Sequence, residues 1–240
     1  MPKPTTKQFK SLKDINSQVV KCELCPELRE YCKKIATEKR RSFADWNYWG
    51  KPVPAFGDHN AKVMIVGLAP AAHGANRTGR MFTGDRSGDF LYAGLYRAGL
   101  ANQPNSTDCD DGLELTGIYI TAACRCAPPA NKLSPAQLAN CRNYLTNEIL
   151  IMKPLVIMCL GMVGWNATIA ALRDIGMNLP RPKPKFAHGS VCKLDRITLL
   201  GCYHVSQQNT FTGKLTENML DEVLNVAKQL VKPELKQKPL

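Results

Sequence analysis

The sequence predicts an α/β fold, a parallel sheet covered by helices on both faces. Three observations predict it. Four short apolar, β-branched runs are bounded by glycine or proline, as buried strands are. Amphipathic helical segments alternate with those runs, which is the order that builds parallel pairing. With 240 residues, 44% of them hydrophobic and 22% charged, the chain has the material for a sizeable core.

Along the chain, residues 1–55 form a helical, basic and aromatic arm that packs on the core instead of folding alone. Its opening "MPKPTTKQFK" lacks the apolar centre of a secretory signal. Residues 56–232 form the α/β domain. Its strands are "AKVMIVGL" (61–68), "GIYITAA" (117–123), "PLVIMCLG" (154–161) and "RITLLGCY" (196–203). After the first strand, "SGDFLYAGLYRAGL" puts Phe90, Leu91, Leu95 and Leu100 on one helical face. After the second, Ser134 is a fitting N-cap and Pro135 a fitting first helical residue. After the fourth, a helix opening on Thr216 aligns Leu220, Val223, Leu224, Ala227 and Val231. Residues 233–240 are a flexible tail. No apolar stretch is long enough to span a bilayer, so the expectation is a soluble, cytoplasmic, nucleoid-associated monomer with no membrane partner.

The formal net charge is +12 and the isoelectric point about 9.3. Such a surface attracts polyanions, which makes nucleic acid the favoured partner over a merely basic surface. Ten cysteines in a chain without a secretory signal point to metal binding, not a disulfide framework. "CELC", with Cys22 and Cys25, has the spacing of a ligand knuckle, and Cys126 and Cys141 complete a constellation of four. Zinc and an iron–sulfur cluster both take four thiolates, and spacing alone leaves the choice open. Cys124, Cys159 and Cys202 read as small apolar packing residues.

Parallel sheets bind ligands at the carboxyl ends of their strands. The loop leaving the first strand, "GLAPAAHGANRTGRMFTGD", lacks both the dinucleotide and the Walker phosphate spacing. It gathers His73, Asn76, Arg77, Arg80 and Asp85, with Phe82 placed to stack on a planar ligand such as a nucleobase. The loop leaving the fourth strand, "HVSQQNTFTGKLT", offers His204, then Ser206 and Asn209 to fix its ring and contact substrate. Lys214 beside Gly213 suits a phosphate.

Together, "CELC", "WNYWGKPVPAFGD", "GLAPAAHGANRTGRMFTGDRSGDFLY", "YITAACRCAPPANKLSP" with Cys141, and "HVSQQNTFTGKLT" resemble the type B, or family 5, uracil-DNA glycosylases. The resemblance runs from about residue 20 to about residue 230, in one order. It implies a three-layer α/β/α sandwich around a four-stranded parallel sheet, with the N-terminal arm tied down by a [4Fe–4S] cluster. It implies a monofunctional glycosylase that excises uracil from double- or single-stranded DNA, and in some members hypoxanthine or xanthine, to start base excision repair. The rival reading is a non-catalytic zinc- or iron–sulfur-containing nucleic-acid-binding protein.

Carried over position by position, the resemblance makes Cys22, Cys25, Cys126 and Cys141 the cluster ligands. Phe82 matches the ring that stacks on the flipped base, and His204 matches the donor to uracil O2. Asp85 is our choice to orient the attacking water. Ala69, Ser206 and Asn209 are placed against the base, and Arg77, Arg80 and Lys214 against the DNA. Relatives in the wider superfamily carry a carboxylate or amide directly after the first strand, where this chain has Leu68 and Ala69; the type B branch shares that lack.

Overall fold

The computed structural model describes residues 9–232, so the expected tail at 233–240 lies outside the described residues. In chain order the elements are α1 (Leu12–Val20), α2 (Pro26–Glu38), β1 (Phe56–Gly57), β2 (Val63–Gly67), α3 (Ala75–Thr78), α4 (Arg86–Arg97), β3 (Ile118–Ala122), α5 (Pro135–Met152), β4 (Val156–Leu160), α6 (Gly161–Asp174), β5 (Val191–Lys193), β6 (Thr198–Cys202), α7 (Gln207–Phe211) and α8 (Glu217–Val231).

The sheet order is β1-β3-β2-β4-β6-β5. The four central strands run parallel, Val63 opposite both Ile118 and Val156, and Val156 opposite Thr198. β1 and β5 add antiparallel edges. The sheet is therefore six-stranded and mixed, which corrects the expectation of four parallel strands. Both edge strands are two or three residues long and incompletely buried, so neither carries the continuous apolar run that marks a buried strand.

Side-chain alternation explains why the central runs are apolar throughout. Val63 and Ile65 of β2 point into a core shared with α4 and α8, while Met64 and Val66 enter a second core. That second core contains Leu145 and Ile149 of α5, Trp165 and Ile169 of α6, and Leu12, Ile15 and Val19 of α1. Three layers result, and α1 is part of one of them. Local signals agree with the helix starts. Ser134 and Gln137 form a full capping box on α5, and Thr216 accepts from Met219 N–H at α8, each cap contributing about 1 kcal/mol. No helix among the described residues is long and apolar enough to cross a membrane.

Because β2, β3, β4 and β6 are parallel, their carboxyl ends open on one edge of the sheet. The loops leaving them meet there.

Candidate active site

A cavity of about 360 Å³ sits at that edge. Its walls include Ala69 and Pro70 after β2, Leu160 and Gly161 where β4 turns into α6, His204 and Ser206 after β6, and Phe82 and Asp85 before α4. Phe82 has φ 53°, the left-handed region that a bulky residue rarely adopts, so surrounding contacts hold it there. One contact is Gly67: a Cβ at that position would lie 2.7 Å from Phe82 Cζ. The ring ends 6.4 Å from the His204 ring, centroid to centroid.

His204 packs its Cβ against Gly161, whose φ of 82° lets the chain turn directly from strand into helix. Burial pushes its pKa down to about 4, so the ring is neutral at neutral pH. Asp85 caps α4: its Oδ1 accepts from Ser87 N–H at 2.9 Å and Gly88 N–H at 3.0 Å. Burial raises its pKa, opposed by those two N–H groups. A Cβ on Gly74 would fall 2.0 Å from Asp85 Oδ2, so only glycine leaves the carboxylate its place. The first turn of α6 has no side-chain cap, and Gly161, Met162 and Val163 line the cavity. Its unsatisfied N–H groups give that wall a positive bias.

A second cavity of about 850 Å³ adjoins the first, sharing Ala71, Asp85 and Asn131. Two loop arginines expected to face DNA lie at or near this cavity, and both are buried. Arg77 is 3% exposed, with Cζ 3.9 Å from the ring centroids of both Phe43 and Trp46, and it donates to the carbonyls of His73 and Gly84. Arg80 is 5% exposed, bonded to Asp111 at 2.7 Å, to Thr83 and Ser106, and to the Cys109 carbonyl. Both guanidinium groups are engaged inside the protein and build the loop instead of presenting charge to solvent. Lys214, by contrast, is exposed, 5.1 Å from the Tyr203 ring.

The remaining expected residues divide. Ala69 and Ser206 line the smaller cavity. Asn209 does not fix the His204 ring; its Nδ2 donates to the His204 carbonyl at 2.8 Å and holds the backbone there. Sequence reasoning passed over Asn131, Gly161 and Gln208, which also line the cavity, and Phe211, 75% exposed at the end of α7. The one sequence signal for Phe211 is a large apolar residue inside a polar loop.

Away from this edge, Cys25, Cys32, Cys124, Cys126 and Cys141 are buried together. Cys22 lies next to them, beside the Tyr144 hydroxyl and within electrostatic reach of Cys25. Four elements contribute: the α1–α2 turn, α2, the segment after β3, and α5. Cys25 is the N-cap of α2, and its sulfur accepts from Asn140 Nδ2 at 3.4 Å. The Cys124 and Cys141 sulfurs are 3.8 Å apart. Cys32 and Cys124, which spacing did not single out, therefore belong to the same nest.

The chain matches the family model "Uracil DNA glycosylase superfamily" over residues 54–228. It is 50% identical to the type-5 uracil-DNA glycosylase of Mycobacterium leprae, covering 92% of this chain and 96% of that protein. It is 45% identical to the type-5 uracil-DNA glycosylase of Thermus thermophilus, over 87% of this chain and 93% of that one. The Pyrobaculum aerophilum type-5 uracil-DNA glycosylase is 42% identical, over 89% and 91%. With the model match spanning every strand of the sheet, and with these relatives matched over nearly their whole length, the chain belongs to the uracil DNA glycosylase superfamily.

Proposed function

We propose that this protein flips uracil out of DNA and hydrolyses its N-glycosidic bond, leaving the backbone intact. The observation that carries the proposal is the convergence of the Phe82 ring, a neutral His204 and the Asp85 carboxylate on one cavity. The names of the type-5 relatives point the same way.

A base inside a duplex is unreachable, so it must leave the stack, and the unstacking cost is offset by new contacts. Phe82 supplies a stacking face. Exposed Phe211, on the same short helix as Gln208 of the cavity wall, is suited to fill the gap left in the duplex. Lys214 suits a phosphate. As the bond from the sugar C1′ to uracil N1 breaks, its electron pair moves onto the base, and negative charge spreads to O2. A neutral His204 N–H donates to that oxygen, and the uncapped start of α6 adds positive bias on the same side. The sugar becomes an oxocarbenium-like cation. Asp85 Oδ2 faces it, stabilises the charge, and orients a water whose oxygen bonds to C1′ while its proton leaves through the carboxylate.

Cys22, Cys25, Cys126 and Cys141 are read as ligands of a [4Fe–4S] cluster, and the residues present fit that group. A zinc ion with bonds of about 2.3 Å draws its sulfurs to about 3.8 Å of one another. Among the described residues, the only three potential ligands with atoms mutually within 4.8 Å are Asp108, Cys109 and Asp110, outside the nest. The Cys124 and Cys141 sulfurs are as close as 3.8 Å, but no three sulfurs of the nest crowd together to that degree among the described residues, which suits the corners of a cube. Donors also face them: Asn140 at Cys25, and the Arg125 backbone N–H at Cys141. When bound, the cluster would cross-link the arm to the segment after β3 and to α5, apart from the reacting atoms.

The decisive experiment incubates a duplex carrying a single uracil with the folded protein, then cleaves abasic sites with alkali. Strand scission at the uracil position is the expected result. Intact uracil, hypoxanthine and xanthine substrates would sink the proposal. A brown colour with bound iron supports the cluster, and stoichiometric zinc without iron refutes it.

A further inference from the structure

Arg125 lies between Cys124 and Cys126 and is 1% exposed, yet it is poorly partnered. Its Nη2 donates to Glu148 Oε2 at 2.6 Å. Glu148, itself 0% exposed on α5, also accepts from Thr121 Oγ1 at 2.8 Å and Tyr119 Oη at 3.4 Å. The carboxylate is thus saturated by three donors, while the guanidinium has a single acceptor. Among the described residues, Arg125 Nε and Nη1 are buried without any partner. Buried donors of this kind are rare, and each calls for an acceptor.

The cysteine nest supplies one. Cys141 and Glu148 stand two turns apart on the same face of α5, so the side chain that reaches Glu148 runs beside Cys141. The Arg125 backbone and its guanidinium are both within electrostatic reach of the Cys141 sulfur. Four thiolates on an iron–sulfur cube carry net negative charge, which a dry pocket leaves uncompensated unless a cation faces it.

We propose that Arg125 is a positioning residue of the cysteine nest: Nε and Nη1 donate to the thiolates and sulfides of the cluster, and Glu148 aims them. This rests on the reading of the nest as an iron–sulfur site. Hydrogen bonds and positive charge at the sulfurs favour the reduced, more negative state and so raise the reduction potential. They also hold the ligands against dissociation.

The test uses the iron-loaded protein, purified without oxygen, and needs no substrate. Arg125→Met with Glu148→Gln removes both charges and leaves no lone buried ion. Arg125→Lys keeps the charge and loses the fork, and serves if the double variant fails to fold. Midpoint potential is read by a mediated titration, and cluster stability by iron release to a strong chelator. The expected result is a lower midpoint and iron release about 10–100-fold faster in the double variant, with Arg125→Lys between it and the parent. Iron-loaded variants with unchanged midpoint and release rate would overturn the role of Arg125 alone. A parent protein that binds no iron would overturn the cluster reading itself, and this inference with it.

Discussion

The rings of Phe82 and His204 face the same cavity 6.4 Å apart at an interplanar angle of 38°, although they lie on different loops. The first is held in a left-handed backbone conformation and the second at a strand end. On the proposed mechanism, that pairing has one side chain stack on a base while the other donates to its edge. Phe82→Ala is expected to lower single-turnover excision of uracil by about 10–100-fold, the worth of one base–aromatic contact. Gly67→Ala should reproduce much of that loss without touching the base, because its methyl would collide with the Phe82 ring. An unchanged Gly67→Ala rate would show that the ring position is immaterial.

His204 acts as a neutral donor on this account. Its ordinary value is 6.5 and burial takes it to about 4, so the excision rate should show no inflection near pH 6.5. His204→Ala is expected to reduce excision by about 10²–10³-fold, as loss of one charge-stabilising donor does. The stability consequence has a definite sign. Between those two values the unfolded chain binds the proton more readily, so native stability falls as pH drops from 6.5 toward 4, by at most about 3 kcal/mol. Denaturant titrations of the parent and His204→Gln at pH 7 and pH 4.5 measure it. The parent should lose more.

Asp85 caps α4 and, on the proposed mechanism, also has a chemical duty, and two substitutions separate the two. Asn retains an oxygen for the Ser87 and Gly88 N–H groups but removes the charge; Ala removes both. Asp85→Asn is expected to keep its melting temperature and lose excision by about 10²–10⁴-fold. Asp85→Ala should lose a similar rate and also about 1 kcal/mol of stability through the missing cap. Since burial raises the Asp85 pKa, the parent rate should fall on acidification above the ordinary carboxylate range, and that limb should vanish in Asp85→Asn. A surviving limb assigns it to another group.

Much of the fold was legible because the central strands are buried on both faces and are therefore almost wholly apolar, Thr121 being buried with a carboxylate partner. β1 and β5 were not, since their pairing comes from a neighbouring strand and not from their own composition. The cavity residues Phe82, Asp85 and His204 stood out as chemically distinctive side chains just beyond strand ends. The burial of Arg77 and Arg80 was not legible for a physical reason: a loop arginine reads as solvent-facing until its distant partners are known. Asp111 is 31 residues from Arg80, and Phe43 and Trp46 belong to the arm. Cys32 was invisible because no two-residue spacing marks it, and only the packing of α2 brings it into the nest.

Arg80 and Lys214 give the sharpest contrast between charge that builds the loop and charge proposed to meet DNA. Arg80→Met would leave the Asp111 carboxylate, which Arg80 helps hold at about 2, well below its ordinary value, without its cation and with backbone N–H partners alone. Breaking such a pair costs about 3–5 kcal/mol when it is buried, so a clear fall in melting temperature is expected. Any affinity lost should be recovered once the unfolded fraction is discounted. Lys214→Ala should leave stability unchanged, because among the described residues its exposed ammonium meets the Tyr203 ring and no salt-bridge partner. It should weaken binding to uracil-containing and uracil-free duplexes alike and flatten the salt dependence by about 0.9 in log–log slope, the signature of one phosphate contact. Fluorescence anisotropy across a salt series reads both quantities. A steeper or unchanged slope for Lys214→Ala, or a flattened one for Arg80→Met in folded protein, would reverse the assignment of the two residues.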